Sequence, residues 1–258
     1  VANLILNRPK THLIIPDSHA TPGKHNKRYE WLGHLINDIK PDIVIDIGDW
    51  WDMPSLCSYD KGTKGFEGRR YKADIEAGLD AQQKVYDIVR RNRKKLPKFI
   101  RTLGNHENRI SKAIDRDPIL EGTIGLSDLQ SREYGWMELP FLHPIAVDGI
   151  TYSHYFTSGI MGRPIGGERH ASTLITKKLT SCTQGHSHLF DYHVRSDIHG
   201  RKIHGCVVGV YQDYRADFAG PANDLWDPGV VVKRDVQDGS YDIERISIAR
   251  LKREYENC

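Results

Sequence analysis

Asp17-Ser18-His19, Gly48-Asp49-Trp50-Trp51-Asp52, Gly104-Asn105-His106-Glu107 and Gly185-His186-Ser187-His188 gather carboxylates, imidazoles and a carboxamide into short runs, and His154 stands between the last two. Carboxylate with imidazole is the ligand chemistry of borderline divalent ions such as Mn²⁺, Fe²⁺ and Zn²⁺, whereas all-oxygen sets suit Mg²⁺ or Ca²⁺. A central carboxylate can bridge two such ions at roughly 3.5–4 Å, so that both polarise one phosphate and activate one water. Asp-x-His and His-x-His put two donors on one side of an extended segment, because alternate residues face the same way. The glycines at 48, 104 and 185 permit tight turns and close backbone approach.

Each run alone has a plainer reading. Asp-x-His is commonly a turn with a capping carboxylate, and Gly-Asn-His a helix start. The weight therefore rests on the whole set in its order along the chain. His154 is chosen for its place at the end of an alternating apolar strand, a place that His143 and His170 lack. Trp50 and Trp51 could stack on a nucleic-acid base, but buried packing is the stronger expectation.

The elements that must position these groups are legible as period and punctuation. Residues 11–15 read as a short apolar strand, and 26–39 as a helix with Trp31, Leu32, Leu35, Ile36 and Ile39 at helical spacing. Pro41 stops it before a β-branched run at 42–47. A second helix is expected at 71–91 and a third strand at 98–103. Strand, helix, strand, helix, strand is the signature of βαβ units and a largely parallel sheet. Beyond about residue 148 strands dominate: 150–155, 181–184, 192–196, 203–211, 230–234 and 241–246, with a helix at 168–179. Asp238-Gly239 is a hairpin turn signal. Residues 61–70, rich in glycine and charge, read as a mobile loop. Every polar run falls at a strand end, and in open α/β sheets the carboxyl ends of strands line the ligand crevice.

Composition excludes more than it selects. The chain has 258 residues, 38% hydrophobic and 28% charged, with a formal net charge of +3 and thirteen histidines. That suits one domain over residues 1–258 with an ordinary core. No apolar run approaches the roughly 20 residues of a membrane helix. The first six residues are too short an apolar stretch, without a basic lead, for a signal peptide, so a cytoplasmic location and no membrane partner are expected. The four scattered cysteines make no zinc ribbon or disulfide framework. The basic run Arg90, Arg91, Arg93, Lys94, Lys95 reads as a solvated helix end that complements the dipole, in preference to a nucleic-acid patch.

The order Asp-x-His, Gly-Asp-x-x-Asp, Gly-Asn-His-Glu, His, Gly-His-x-His, over residues 17–188, resembles the calcineurin-like metallophosphoesterase superfamily. The resemblance implies an α/β fold: a four-layer α-β-β-α sandwich of two mixed sheets with helices on both outer faces, strands within 190–247 completing the second sheet. It implies two divalent ions, manganese first, with iron, zinc, nickel or magnesium as alternatives. One ion would be held by Asp17, His19, Asp49 and His188, the other by Asp49, Asn105, His154 and His186. His106 matches the non-ligand catalytic histidine that assists at the leaving group, and Asp52 the carboxylate that orients it.

Departures from the family bear on the substrate. Serine/threonine phosphatases of this superfamily carry arginines where this chain has Met53 and Leu103. Such arginines clamp a phosphomonoester dianion in bidentate fashion. Phosphodiester hydrolysis, with DNA, RNA or a nucleotide as substrate, is therefore the leading expectation. A phosphomonoesterase is the alternative, and a non-catalytic metal-binding module a third reading that His106 speaks against. Candidate substrate contacts are Asn105, Arg163, Arg169 and Lys177, although the segment carrying the last three reads equally well as a surface loop.

Overall fold

Short β-branched runs become the central strands because both faces of a parallel sheet are covered. The computed structural model describes residues 8–92 and 95–258. The first half runs β1 (Lys10–Ile15), α1 (Lys27–Ile39), β2 (Ile43–Asp46), α2 (Tyr71–Asn92), β3 (Lys98–Thr102), α3 (Asn108–Arg116) and β4 (Trp136–Leu139). Then follow β5 (Ile145–Val147), β6 (Ile150–Tyr152), the small hairpin β7 (Thr157–Ser158) and β8 (Arg163–Pro164), and α4 (His170–Lys178). The chain continues through β9 (Ser181–Gln184), β10 (Phe190–Ser196), β11 (Lys202–Val208), β12 (Gly229–Gln237), β13 (Ser240–Ser247) and α5 (Ile248–Tyr255).

Two mixed sheets result. The first has the order β13-β12-β1-β2-β3-β4 and the second β10-β11-β9-β6-β5. β1 to β4 are mutually parallel, and β9 runs parallel to both β6 and β11. Alternation along each strand divides the core. Ile14, Ile45, Ile100 and Val231 of the first sheet meet Ile150, Tyr152, Cys206 and Val208 of the second. Their neighbours Leu13, Val44, Phe99 and Val232 face the other way, in one cluster with Trp31 and Leu35 of α1 and Val85 and Val89 of α2. α4 lays Ala171 and Leu174 against Cys182 and Val207 of the second sheet.

The expected elements fall within a few residues of those observed, with one correction. β10 and β11 join the second sheet as anticipated, but β12 and β13 belong to the first, where β12 pairs antiparallel with β1. The reason is their apolar content: Val231 and Val232 are buried on opposite faces, which suits an interior place beside β1. The Asp238-Gly239 turn joins this pair with both residues at positive φ, 49° and 84°, as a tight hairpin needs. Residues 1–6 and the middle of the basic run, Arg93 and Lys94, lie outside the described residues. Among the described residues no helix is long and apolar enough to cross a membrane.

Between the sheets sits a polar group away from the strand ends. His12 on β1 donates from Nε2 to Asp148 (3.0 Å) and accepts at Nδ1 from the Tyr152 hydroxyl (2.8 Å). Burial, reinforced by the nearby Lys233 ammonium, lowers its pKa to about 4 in spite of Asp148. The unfolded chain binds a proton here below about pH 6.5, and the folded chain only near pH 4. Stability should therefore fall as pH drops through that window, by up to about 3 kcal/mol from this group. Denaturant unfolding at pH 7 and pH 4.5, compared with His12→Gln, checks it: the variant should lose less stability on acidification than the parent.

Candidate metal centre

Parallel strands place their carboxyl ends on one side, and here the loops that leave them are sewn together. The Ser18 and His19 N–H groups donate to Asp49 O (3.1 and 2.9 Å), joining the loops after β1 and β2. Gly185 N–H donates to His154 O (2.9 Å), joining the loops after β9 and β6, and Tyr211 N–H reaches Asp17 O (2.8 Å) from beyond β11. The seven side chains expected as ligands are thereby brought to one place. His188 Nε2 lies 3.3 Å from Asp17 Oδ2 and 3.1 Å from His19 Nε2. His154 Nε2 lies 2.9 Å from Asn105 Oδ1 and 3.4 Å from Asp49 Oδ2.

Donor atoms within 4.8 Å of one another form three adjoining groups: Asp17, His19 and His188; His19, Asp49 and His106; Asp49, His154 and His186. Such buried Asp and His groups can hold a metal ion. Asp17 Oδ1 is buried without a hydrogen-bond partner, a costly state for an ionised oxygen that a cation would relieve. The backbone also leaves these carboxylates room. A Cβ on Gly104 would lie 2.0 Å from Asp49 Oδ1, and one on Gly185 2.2 Å from Asp17 Oδ1.

Four of the donors sit in strained backbone: His19, Asp49, His186 and His188 have φ of 46°, 55°, 69° and 62°. Left-handed conformations cost about 1–3 kcal/mol each for such residues and persist where surrounding bonds over-determine them. Charge is arranged to match. Burial opposes ionisation of Asp49, but His154 and His106 outweigh it and hold its pKa well below the usual range. Asp17 is likewise lowered against burial by its bond to His188 and by His154. His154 rises to about 9 because Asp49 outweighs burial, whereas burial and His154 push His186 down to about 4. The positive charge that keeps Asp17 and Asp49 ionised thus comes from neighbouring histidines, His154 foremost, in the place where a bound cation would supply it.

Supports that sequence reasoning missed explain how the loops hold this shape. The Glu107 carboxylate, fully buried, accepts from the backbone N–H groups of Asp49 (3.0 Å), Trp51 (2.9 Å) and Gly104 (2.8 Å). Burial and the nearby Asp49 raise its pKa to about 7. Arg28, buried on α1, donates to Ser18 O (2.8 Å) and Tyr211 O (3.2 Å). A cation interrupting the apolar stripe of a helix was the available signal. Rings frame the donors: Tyr155 packs 4.7 Å from His186, and Trp226 lies edge-on to His188 at 4.3 Å.

His106 Nδ1 donates to Asp52, 2.6 Å from its carbonyl oxygen and 3.1 Å from Oδ1. Burial works against its charge, but Asp49 and Asp52 raise its pKa overall. Arg109 donates to His106 Nε2 (3.1 Å) and to the carbonyls of Asp52 (2.8 Å) and Met53 (3.1 Å). Both lie on the wall of a cavity of about 700 Å³. Residues 67–70 of the expected loop line it as well. Arg163, in β8, and Arg169, just before α4, are exposed, as is Lys177 in the last turn of α4; none lines this cavity. Met53 and Leu103 are buried in the helix-side core, and so are Trp50 and Trp51. Those two indoles join Trp136 around the buried Arg101 guanidinium, at 4.8, 4.9 and 4.4 Å from the ring centres. Packing, not base stacking, is their role.

No protein-family model matches the chain, and no curated protein matches it.

Proposed function

We propose that the chain is a calcineurin-like metallophosphoesterase, a four-layer α-β-β-α sandwich that hydrolyses phosphodiesters at a pair of divalent ions, manganese first. The observation that carries this reading is Asp49: it belongs to two adjoining donor groups, beside a histidine anchored by Asp52. Asp17, His19, Asp49 and His188 would hold one ion, and Asp49, Asn105, His154 and His186 the other. Such ions supply Lewis-acid polarisation of phosphoryl oxygens and activation of water. The chain's own work is the rest. Asp52 fixes the His106 ring through Nδ1; Nε2, which accepts from Arg109 while unprotonated, can hand a proton to the departing oxygen once it has taken one up and turned from Arg109. Glu107 keeps the Asp49 loop in place, and Arg28 the Asp17 loop.

Preference for diesters rests on the missing arginine pair. Positions 53 and 103 offer buried apolar side chains. Arg109 offers a single guanidinium already bonded to two carbonyls and His106. A dianion therefore gains little over a diester monoanion. DNA, RNA or a nucleotide is the substrate class this suggests.

A manganese-titrated assay should give a higher kcat/KM for bis-p-nitrophenyl phosphate than for p-nitrophenyl phosphate. His106→Ala should keep its metal content yet lose roughly 10²-fold or more in turnover, the usual worth of a positioned proton donor. A clear preference for the monoester would sink the diester assignment. No hydrolysis of either ester in any of the candidate metals would sink the hydrolase itself.

A further inference from the structure

The cavity beside His106 has a charge pattern that the chemistry of one phosphate does not use. Of its acidic lining residues, Asp52 is committed to His106, and Asp60 pairs with Arg69 at 2.6 Å. Asp74 is buried behind it, accepting from Ser55 N–H. Glu67 and Asp217 are exposed, as are Arg70 and Lys24. Of its cations, Arg215 pairs with Asp224. Arg70, Arg109 and Lys24 line the same space and form no salt bridge among the described residues, although the charge of Arg109 is felt by Asp60, which pairs with Arg69. The one side-chain hydrogen bond of Arg70 goes to the carbonyl of Arg69 (2.9 Å), and Lys24 lies over the Tyr214 ring at 5.2 Å. Arg109 bridges the two regions, touching His106 Nε2 on one side and lining the cavity on the other.

We infer that this cavity is a leaving-group subsite for a second, non-scissile phosphate, with Arg109 and Arg70 as its hydrogen-bond donors and Lys24 as a supporting charge. The inference rests on the hydrolase reading above and names the substrate class of that site: phosphoesters and phosphoanhydrides whose departing group carries a second phosphate. Placement follows from His106. Hydrolysis forms a P–O bond from water and breaks the bond to the leaving oxygen, which takes the proton from Nε2. The proton displaced from water restores His106. The leaving group is therefore on the His106 side, where Arg109 and Arg70 line the cavity with their hydrogen bonds going to carbonyls and to His106 and not to a carboxylate. A guanidinium fork matches phosphate oxygens in geometry as well as charge. The volume, about 700 Å³, accommodates more than a bare phosphate.

A polynucleotide strand and a pyrophosphate-linked nucleotide both present such a group. The test compares the manganese-loaded protein on thymidylyl-thymidine, on its 5′- and 3′-phosphorylated forms, and on diadenosine diphosphate. Bis-p-nitrophenyl phosphate serves as the measure of basal hydrolysis. At least one phosphorylated substrate should exceed unphosphorylated thymidylyl-thymidine by about tenfold in kcat/KM, the worth of one charge-assisted bond. Preference for a phosphorylated dinucleotide identifies a strand as the source, and preference for diadenosine diphosphate a pyrophosphate. Arg70→Gln should reduce the preference through KM, with Arg109→Gln reducing it further. A ratio under about threefold for every phosphorylated substrate, or one unmoved by both variants, overturns the subsite. Because bis-p-nitrophenyl phosphate lacks the second phosphate, its hydrolysis without the preference would refute the subsite alone. Its absence would refute the hydrolase reading.

Discussion

Replacing Asp49 by Ala is expected to abolish tight divalent-metal binding by the whole protein and to reduce phosphoester turnover to background. The carboxylate is almost completely buried and is common to two donor groups, so one substitution reaches both. Asp17, His19 and His188 would face one side of the gap, and Asn105, His154 and His186 the other, with no shared anion between them. Loss of several kcal/mol of charge stabilisation corresponds to a rate loss on the order of 10³-fold or more. Asp49 also accepts from the His106 backbone N–H at 2.9 Å. Asp49→Asn, which preserves the shape, therefore separates metal loss from loop disruption. Elemental analysis after gel filtration reads metal content directly, and circular dichroism reads the fold. Two tightly bound ions and undiminished turnover in Asp49→Ala would show that the residue is no bridge.

The second large effect is on stability. Arg101→Met should destabilise the fold by about 3–5 kcal/mol, as removal of one partner of a buried ion pair generally does. Arg101 and Asp46 are both fully buried and paired with each other. Burial raises the Asp46 pKa even with the Arg101 charge opposing it, so without Arg101 an ionised carboxylate there has no counter-charge. The guanidinium also fills the space between three indoles and donates to Gln82 (2.8 Å) and Ser131 (2.9 Å). For a chain of this size a midpoint shift on the order of 10 °C follows. Arg101→Met with Asp46→Asn should recover part of the loss, because the stranded charge is gone. An Arg101→Met protein melting within a degree or two of the parent would mean that the cation adds nothing to the packing around it.

Sequence was most informative where chemistry and period coincide. The donors at 17, 19, 49, 105, 154, 186 and 188 could be read because each follows an apolar run at a strand's carboxyl end, and parallel topology does the gathering. Helices α1 and α2 were legible from their apolar stripes. Less could be read where contacts are non-local. β4, Trp136–Leu139, shows little alternation and takes its place from pairing with β3. α3 has few apolar residues and was hidden behind the motif that precedes it. Arg101 and Arg109 lie on either side of one motif, yet the first is enclosed in the core and the second faces the cavity. Sequence spacing does not distinguish them, because β3 ends between them and the chain turns. The role of Glu107 was invisible for a related reason: its partners at 49 and 51 are distant in sequence.

The order of strands in the first sheet has a consequence for how the chain is made. β1 precedes β12 by most of the chain and leaves the ribosome well before it, yet one of its two hydrogen-bonding edges is closed only by β12, with Leu13 opposite Val232 and Ile14 opposite Val231. Until that partner emerges, a nascent chain presents an apolar strand with an open edge, the kind of template on which unfinished chains associate. The β2 side can close early, through the local β1-α1-β2 unit. The other side waits on one of the longest loop closures in the molecule, a slow event by its nature. Translation would therefore expose a half-built sheet with one open edge until β12 arrives.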